Sequence, residues 1–216
     1  MKYDLVIFDL DGTLLDTLDD LAAAVNHAMR TQGFPLRERE EVRRLVGNGI
    51  ASTIRRAVPE GTDEPAILRA LSDFKNYYLQ NVDVYTRPYD GVPELLDALN
   101  AAGVRAAVNS NKVDSVVNAL CDAHVPGRFA YVLGEREGIP KKPAPDGVNM
   151  ILDALDIRRE RALYVGDGEA DLRTALNAGI DCAWVSWGFR KPEELEDLVI
   201  PRRFDSAEAL GRFLLE

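Results

Sequence analysis

The chain has 216 residues, and its 26 Lys+Arg against 36 Asp+Glu leave a formal net charge of −10, with a sequence pI near 4.8. That sign is the reverse of what a phosphate backbone attracts, so no nucleic-acid partner is expected. With 46% hydrophobic and 29% charged residues the composition is that of a folded globular chain, long enough for one full core plus a smaller domain, and no run approaches the roughly 20 apolar residues of a membrane span.

The first β-type run is Leu5 to Phe8. Asp9 and Asp11 end it before it reaches the length of a signal-peptide core, so a cytoplasmic location is expected. From Asp16 to Pro88 no convincing strand follows. Leu18, Leu21, Ala22, Val25 and Met29 form one helical stripe, and Ile67, Leu71, Phe74 and Tyr78 form another at i, i+4, i+7, i+11. A helical insertion over 16–85 is therefore expected, leaving 1–15 and 86–216 as the core. In the second part, helical spacing at Val92, Leu95, Leu96 and Leu99 precedes a strand over Val104 to Val108. Val116, Val117 and Leu120 precede a strand over Ala130 to Leu133; Ile151, Leu152 and Leu155 precede one over Leu163 to Val165; Leu172, Ala175 and Leu176 precede one over Cys182 to Val185. Strands alternating with amphipathic helices predict an α/β fold with a parallel sheet. Gly103 and Gly179 sit where a glycine ends a helix.

In such a sheet ligands bind at the carboxyl ends of the strands, and here those ends are polar: Asp9-Leu10-Asp11-Gly12-Thr13, Asn109-Ser110-Asn111-Lys112, and Gly166-Asp167-Gly168-Glu169-Ala170-Asp171. Lys141-Lys142-Pro143-Ala144-Pro145 lies before the following helix. Several carboxylates drawn together repel unless a cation joins them, and an oxygen-only set suits Mg²⁺ better than zinc. Zinc is further disfavoured because His27 and His124 have no ligand spacing. No G-x-S-x-G elbow is present, which removes the serine-hydrolase reading. Cys121 and Cys182 read as small buried hydrophobes. Trp184 and Trp187 read as core and crevice-wall packing, and the charge clusters Arg37 to Arg44 and Glu193 to Asp197 read as solvated helix faces.

DLDGTLLDT from Asp9, the Ser110-Asn111-Lys112 segment, KPAPD from Lys142 and GDGEAD from Gly166 together resemble, in order, the four motifs of the haloacid dehalogenase-like hydrolases. Val46-Gly47-Asn48-Gly49 is similar to a cap segment of the phosphoglycolate phosphatase branch. The resemblance implies a Rossmann-like core with an inserted helical cap, and a magnesium-dependent phosphatase of small phosphomonoesters. It implies Asp9 as nucleophile and Asp11 as the acid and base. Mg²⁺ is expected on Asp9, the backbone carbonyl of Asp11 and Asp167, with Asp171 organising the metal site from outside it. Ser110, Asn111 and Lys142 would hold the phosphoryl group, and Gly47, Asn48 and Gly49 the leaving group. Arg43, Arg44, Arg55 and Arg56 are expected to be solvated rather than to bind substrate. Asn109 stands where the family has an apolar residue, Ser110 where threonine is commoner, and Gly168 where serine is. Pyrophosphatase, sugar-phosphate phosphatase, phosphomutase and a receiver-like phosphoacceptor share parts of this pattern. Either a monomer or a homodimer is compatible with it.

Overall fold

The computed structural model describes residues 2–47, 49–195 and 198–216; Asn48, Glu196 and Asp197, named above, lie outside them. The chain divides into two compact units, Met1–Asp16 with Pro88–Glu216, and Thr17–Arg87.

The first unit holds a six-stranded sheet of β1 (Leu5–Phe8), β4 (Arg105–Val113), β5 (Tyr131–Glu135), β6 (Ala162–Gly166), β7 (Asp181–Val185) and β8 (Arg203–Phe204). Their order is β5-β4-β1-β6-β7-β8, and the successive pairs run parallel. Strands on both sides of β1 are reached by helices: α5 (Val92–Ala101), α6 (Asp114–His124), α7 (Asp146–Leu155), α8 (Glu169–Ala178) and α9 (Ala207–Leu215). The chain builds outward from β1 through β4 to β5, then crosses back to β6, β7 and β8. β1 is thus where the strand order reverses, the position at which an open parallel sheet leaves a crevice. A pair of two-residue strands, β2 (Leu15–Asp16) and β3 (Arg87–Pro88), forms a separate sheet.

Helices cover the sheet because its strands are apolar on both faces: all four residues of β1 and all five of β6 are buried. Leu5, Ile7, Ala107, Leu133, Ile151, Tyr164, Leu172 and Trp184 belong to one continuous core cluster. α8 ends at Gly179 in the left-handed conformation at φ 65°, and Gly103, at φ 76°, follows α5, both as the spacing predicts.

The second unit is helical: α1 (Leu18–Thr31), α2 (Arg39–Leu45), α3 (Ile50–Ala57) and α4 (Glu64–Gln80). Asp63 opens α4 by accepting from the Ala66 N–H at 2.8 Å, with Pro65 in the first turn. The α1 stripe is buried as expected, whereas on α4 burial falls on Ala70, Phe74 and Tyr78, with Ile67 and Leu71 only half covered. Asp20, 1% exposed, accepts from the backbone N–H groups of Val84, Tyr85 and Thr86 and from the Thr86 hydroxyl at 2.7 Å. The first turn of α1 is thereby tied to the segment that leaves the helical unit.

Candidate active site

The registers pair Phe8 with Val108 on one side and with Val165 on the other. One residue further on, Asp9, Asn109 and Gly166 stand level, and the Asp9 N–H donates to the Val165 carbonyl at 2.9 Å. Past Asp9 the chain turns back, with the Leu10 carbonyl accepting from Thr13, Leu14 and Leu15. The turn needs Gly12. Its φ is +82°, and a Cβ there would sit 2.6 Å from Asp167 Oδ2. A Cβ on Gly188 would overlap the Gly12 carbonyl oxygen, so the β7 exit loop closes against the same turn.

Asp9, Asp167 and Asp171 each offer a carboxylate oxygen within 4.8 Å of the others. Between two of them lies the Lys142 ammonium, 2.8 Å from Asp9 Oδ1 and 2.7 Å from Asp171 Oδ1, its side chain 4% exposed. Burial alone pulls the Lys142 pKa down, but Asp171 and Asp9 outweigh it and hold it well above the ordinary lysine value. Asp167 accepts from the Thr13 hydroxyl at 3.1 Å and from the Phe189 N–H at 2.7 Å, and Asp171 from the Gly168 N–H at 3.0 Å. One ammonium does not neutralise three carboxylates. Burial accordingly pushes Asp9 up to about 8 and Asp167 up to about 6. A buried, oxygen-only set short of positive charge fits a hard divalent cation.

β4 brings the second group of side chains. It runs on to Val113 with a register irregularity between Asn109 and Val113, so Ser110, Asn111 and Lys112 lie within the strand rather than in the loop that the sequence suggested. The side-chain contacts send Lys112 and Asn111 in different directions. The Lys112 ammonium reaches Asp11 Oδ1 at 2.6 Å, and its backbone N–H donates to Ser110 Oγ at 3.3 Å. On the other side, Asn111 Nδ2 donates to the Lys142 carbonyl at 3.1 Å while Lys142 N–H donates to Asn111 Oδ1 at 2.8 Å.

The sequence over residues 6–185 matches the haloacid dehalogenase-like hydrolase family. This chain belongs to the haloacid dehalogenase-like hydrolases. A phosphoglycolate phosphatase of Aquifex aeolicus (strain VF5) is 30% identical over 213 residues, 98% of this chain and 98% of that protein. A phosphoglycolate phosphatase of Pseudomonas savastanoi pv. phaseolicola is 36% identical over 191 residues, 86% of this chain and 70% of that protein. The structure of a protein assigned as a phosphoglycolate phosphatase from Lactobacillus delbrueckii subsp. bulgaricus superposes with a TM-score of 0.95 at 33% identity, covering 100% of this chain and 99% of that one. The protein is a phosphatase, and within the family it falls in the branch similar to phosphoglycolate phosphatases.

Among the expected residues of this hydrolase, Asp9, Asp167 and Asp171 cluster beside Lys142, and Ser110 lines a small pocket together with Lys142. Lys141 does not compete with Lys142, because it pairs outward with Glu135 at 2.6 Å. Asp171 lies with Asp9 and Asp167 in the carboxylate cluster, and the Asp11 carboxylate pairs with Lys112. Both ends of the Asn111 carboxamide are bonded to the Lys142 backbone, so that side chain clasps the lysine loop. Arg43 is buried at 6% exposure and paired with Glu40 at 2.9 Å, not solvated; Arg44, Arg55 and Arg56 are exposed. In the helical unit Gly47 and Gly49 flank Asn48 with φ of 129° and 82°. His27 stacks on Tyr77 at 4.3 Å, and Cys121 and Cys182 are buried thiols.

Trp184 and Trp187, which the sequence reads as core and crevice-wall packing, support the site, and so does Tyr164, which carried no signal of its own. Trp184 Nε1 donates to the Asp167 carbonyl at 2.7 Å, and Trp187 Nε1 to the Thr13 carbonyl at 3.0 Å, so both indoles brace the carboxylate loops. Tyr164 donates to the Asn109 carbonyl at 3.0 Å and lies under Lys142, whose ammonium is 5.8 Å from the ring centre.

Proposed function

We propose that the protein is a magnesium-dependent phosphatase of small phosphomonoesters, phosphoglycolate or a close analogue, acting through an aspartyl-phosphate on Asp9. The observation that carries the reading is the cluster of Asp9, Asp167 and Asp171 around the Lys142 ammonium. The names of the relatives support the substrate class.

In this reading Asp9 attacks phosphorus, the bond to the leaving oxygen breaks, and Asp11 donates a proton to that oxygen. Asp11 then takes a proton from the water that cleaves the aspartyl-phosphate. Mg²⁺, held by Asp9 and Asp167 with Asp171 beside them and the Asp11 carbonyl completing the set, would supply charge neutralisation for the phosphoryl oxygens. Lys142 offsets the charge on the nucleophile, and Ser110 holds a phosphoryl oxygen. General acid–base catalysis supplies only about 10² to 10⁴ in rate, whereas phosphomonoester hydrolysis requires up to ~10²¹. Most of the barrier reduction therefore falls to these fixed charges. The helical unit, with Gly47, Asn48 and Gly49, serves as the cap.

The test is inorganic phosphate release from phosphoglycolate, pyrophosphate, nucleotides and sugar phosphates, with Mg²⁺ and again with excess chelator. Metal-dependent turnover with phosphoglycolate well ahead by kcat/KM is the expected result. A different preferred substrate would refute the specificity, and chelator-resistant turnover the metal.

A further inference from the structure

We propose that Lys112 is a positioning residue for Asp11, holding the carboxyl group that exchanges protons with the substrate. This rests on the aspartyl-phosphate reading above. The two side chains lie 101 positions apart in the chain and meet because β4 neighbours β1 and continues past Asn109 instead of ending there. Lys112 Nζ stands 2.6 Å from Asp11 Oδ1, with the lysine side chain 4% and the aspartate 18% exposed. An ammonium so buried needs a fixed acceptor, because leaving it uncompensated costs more than the pair gains. The irregular register between Asn109 and Val113 is the local feature that turns this segment, and one residue serves two groups: the Lys112 N–H holds Ser110 Oγ while its ammonium holds Asp11.

The contact suits both halves of the reaction. The carbonyl oxygen of a neutral carboxyl accepts an N–H donor as a carboxylate oxygen does, though less strongly, so the anchor on Oδ1 persists when the other oxygen gains or loses its proton. In the first half, Asp9 forms a bond to phosphorus, the electron pair of the broken P–O bond goes to the leaving oxygen, and the Asp11 proton neutralises it. A freely rotating Asp11 would meet that oxygen in only a fraction of encounters.

The experiment compares kcat/KM for p-nitrophenyl phosphate with kcat/KM for phosphoglycolate, in saturating Mg²⁺, for wild type, Lys112→Met, Lys112→Arg, Asp11→Asn and the Asp11→Asn/Lys112→Met double variant. This parameter covers steps up to P–O cleavage, where an alkoxide needs its proton and p-nitrophenolate barely does. Lys112→Met should lose about 10²-fold on the alkyl ester and little on the aryl ester. Lys112→Arg should restore most of the loss, and Lys112→Met should cost nothing further once Asp11 is Asn. Equal losses on the two esters, no loss on the alkyl ester, or a full additional loss in the double variant would overturn the assignment. If the methionine variant fails to fold, Lys112→Leu carries the same comparison, since it too removes the donor. The underlying reading fails separately, if Asp9→Asn retains wild-type turnover of p-nitrophenyl phosphate.

Discussion

Asn111 and Lys142 hold each other through two reciprocal hydrogen bonds, Asn111 Nδ2 to the Lys142 carbonyl at 3.1 Å and the Lys142 N–H to Asn111 Oδ1 at 2.8 Å. The pairing joins the end of β4 to the loop that carries the buried ammonium. Asn111→Ala removes both bonds, at a cost of about 2 kcal/mol in stability, and frees the lysine loop to shift. A displacement near 1 Å at a catalytic group costs about 10²-fold in rate, so kcat should fall by that order. Asn111→Asp should not rescue it, since a carboxylate has no donor for the Lys142 carbonyl. Wild-type kcat in either variant would show that the clasp is dispensable.

Gly12→Ala should cost cation affinity out of proportion to stability. The new methyl would stand 2.6 Å from Asp167 Oδ2 and 2.8 Å from Oδ1, displacing a carboxylate of the cluster. Gly33→Ala is the matched control, because its φ of +70° carries the same left-handed strain with nothing within 4 Å of the added atom. That strain costs about 1 kcal/mol. Calorimetric Mg²⁺ titration should show weakened binding for Gly12→Ala and unchanged binding for Gly33→Ala; equal affinities in the two variants would contradict the crowding.

With metal removed by chelator, folding stability should decline as pH rises. Burial holds Asp9 at about 8 and Asp167 at about 6, above the ordinary aspartate value near 3.9. Between those limits the folded chain binds more protons than the unfolded one, so the slope of unfolding free energy against pH is negative from about pH 4 to about pH 8. Excess Mg²⁺ should flatten that decline and raise the Tm, by binding the ionised cluster in the folded state alone. Thermal unfolding across pH 5 to 8, with and without Mg²⁺, checks the sign; a chelated protein whose stability climbs over that range would disprove it.

Asp20→Ala should loosen the helical unit. It strands the N–H groups of Val84, Tyr85 and Thr86 and leaves the Thr86 hydroxyl only the Val82 carbonyl, and a single buried donor left unpaired costs about 1 to 3 kcal/mol. Amide hydrogen exchange at residues 84–86 should accelerate accordingly. Undiminished protection there would mean that Asp20 does not hold this segment.

Much of the molecule is local in origin and so was legible in the chain alone. Apolar runs over Leu5 to Phe8 and Leu163 to Val165, alternating with 3.6-residue stripes, specify a covered parallel sheet, and the strand-end motifs carrying Asp9, Asp167 and Lys142 mark where its crevice opens. Strand order and contact between distant residues are different, because they depend on which elements become neighbours. Ser110 to Lys112 read as a loop, since polar residues after an apolar run suggest an end; the structure keeps them in β4, whose pairing with β5 resumes at Val113 beyond a register irregularity. Only that pairing sends Lys112 to Asp11 and Asn111 to Lys142. Likewise the charge run around Arg43 suggested a solvated face, while the packing of the helical unit buries that one arginine against Glu40. Residue type and spacing determined which chemical groups are available; the tertiary structure decided which of them meet, because charge pairing and burial act between side chains that the sequence holds far apart.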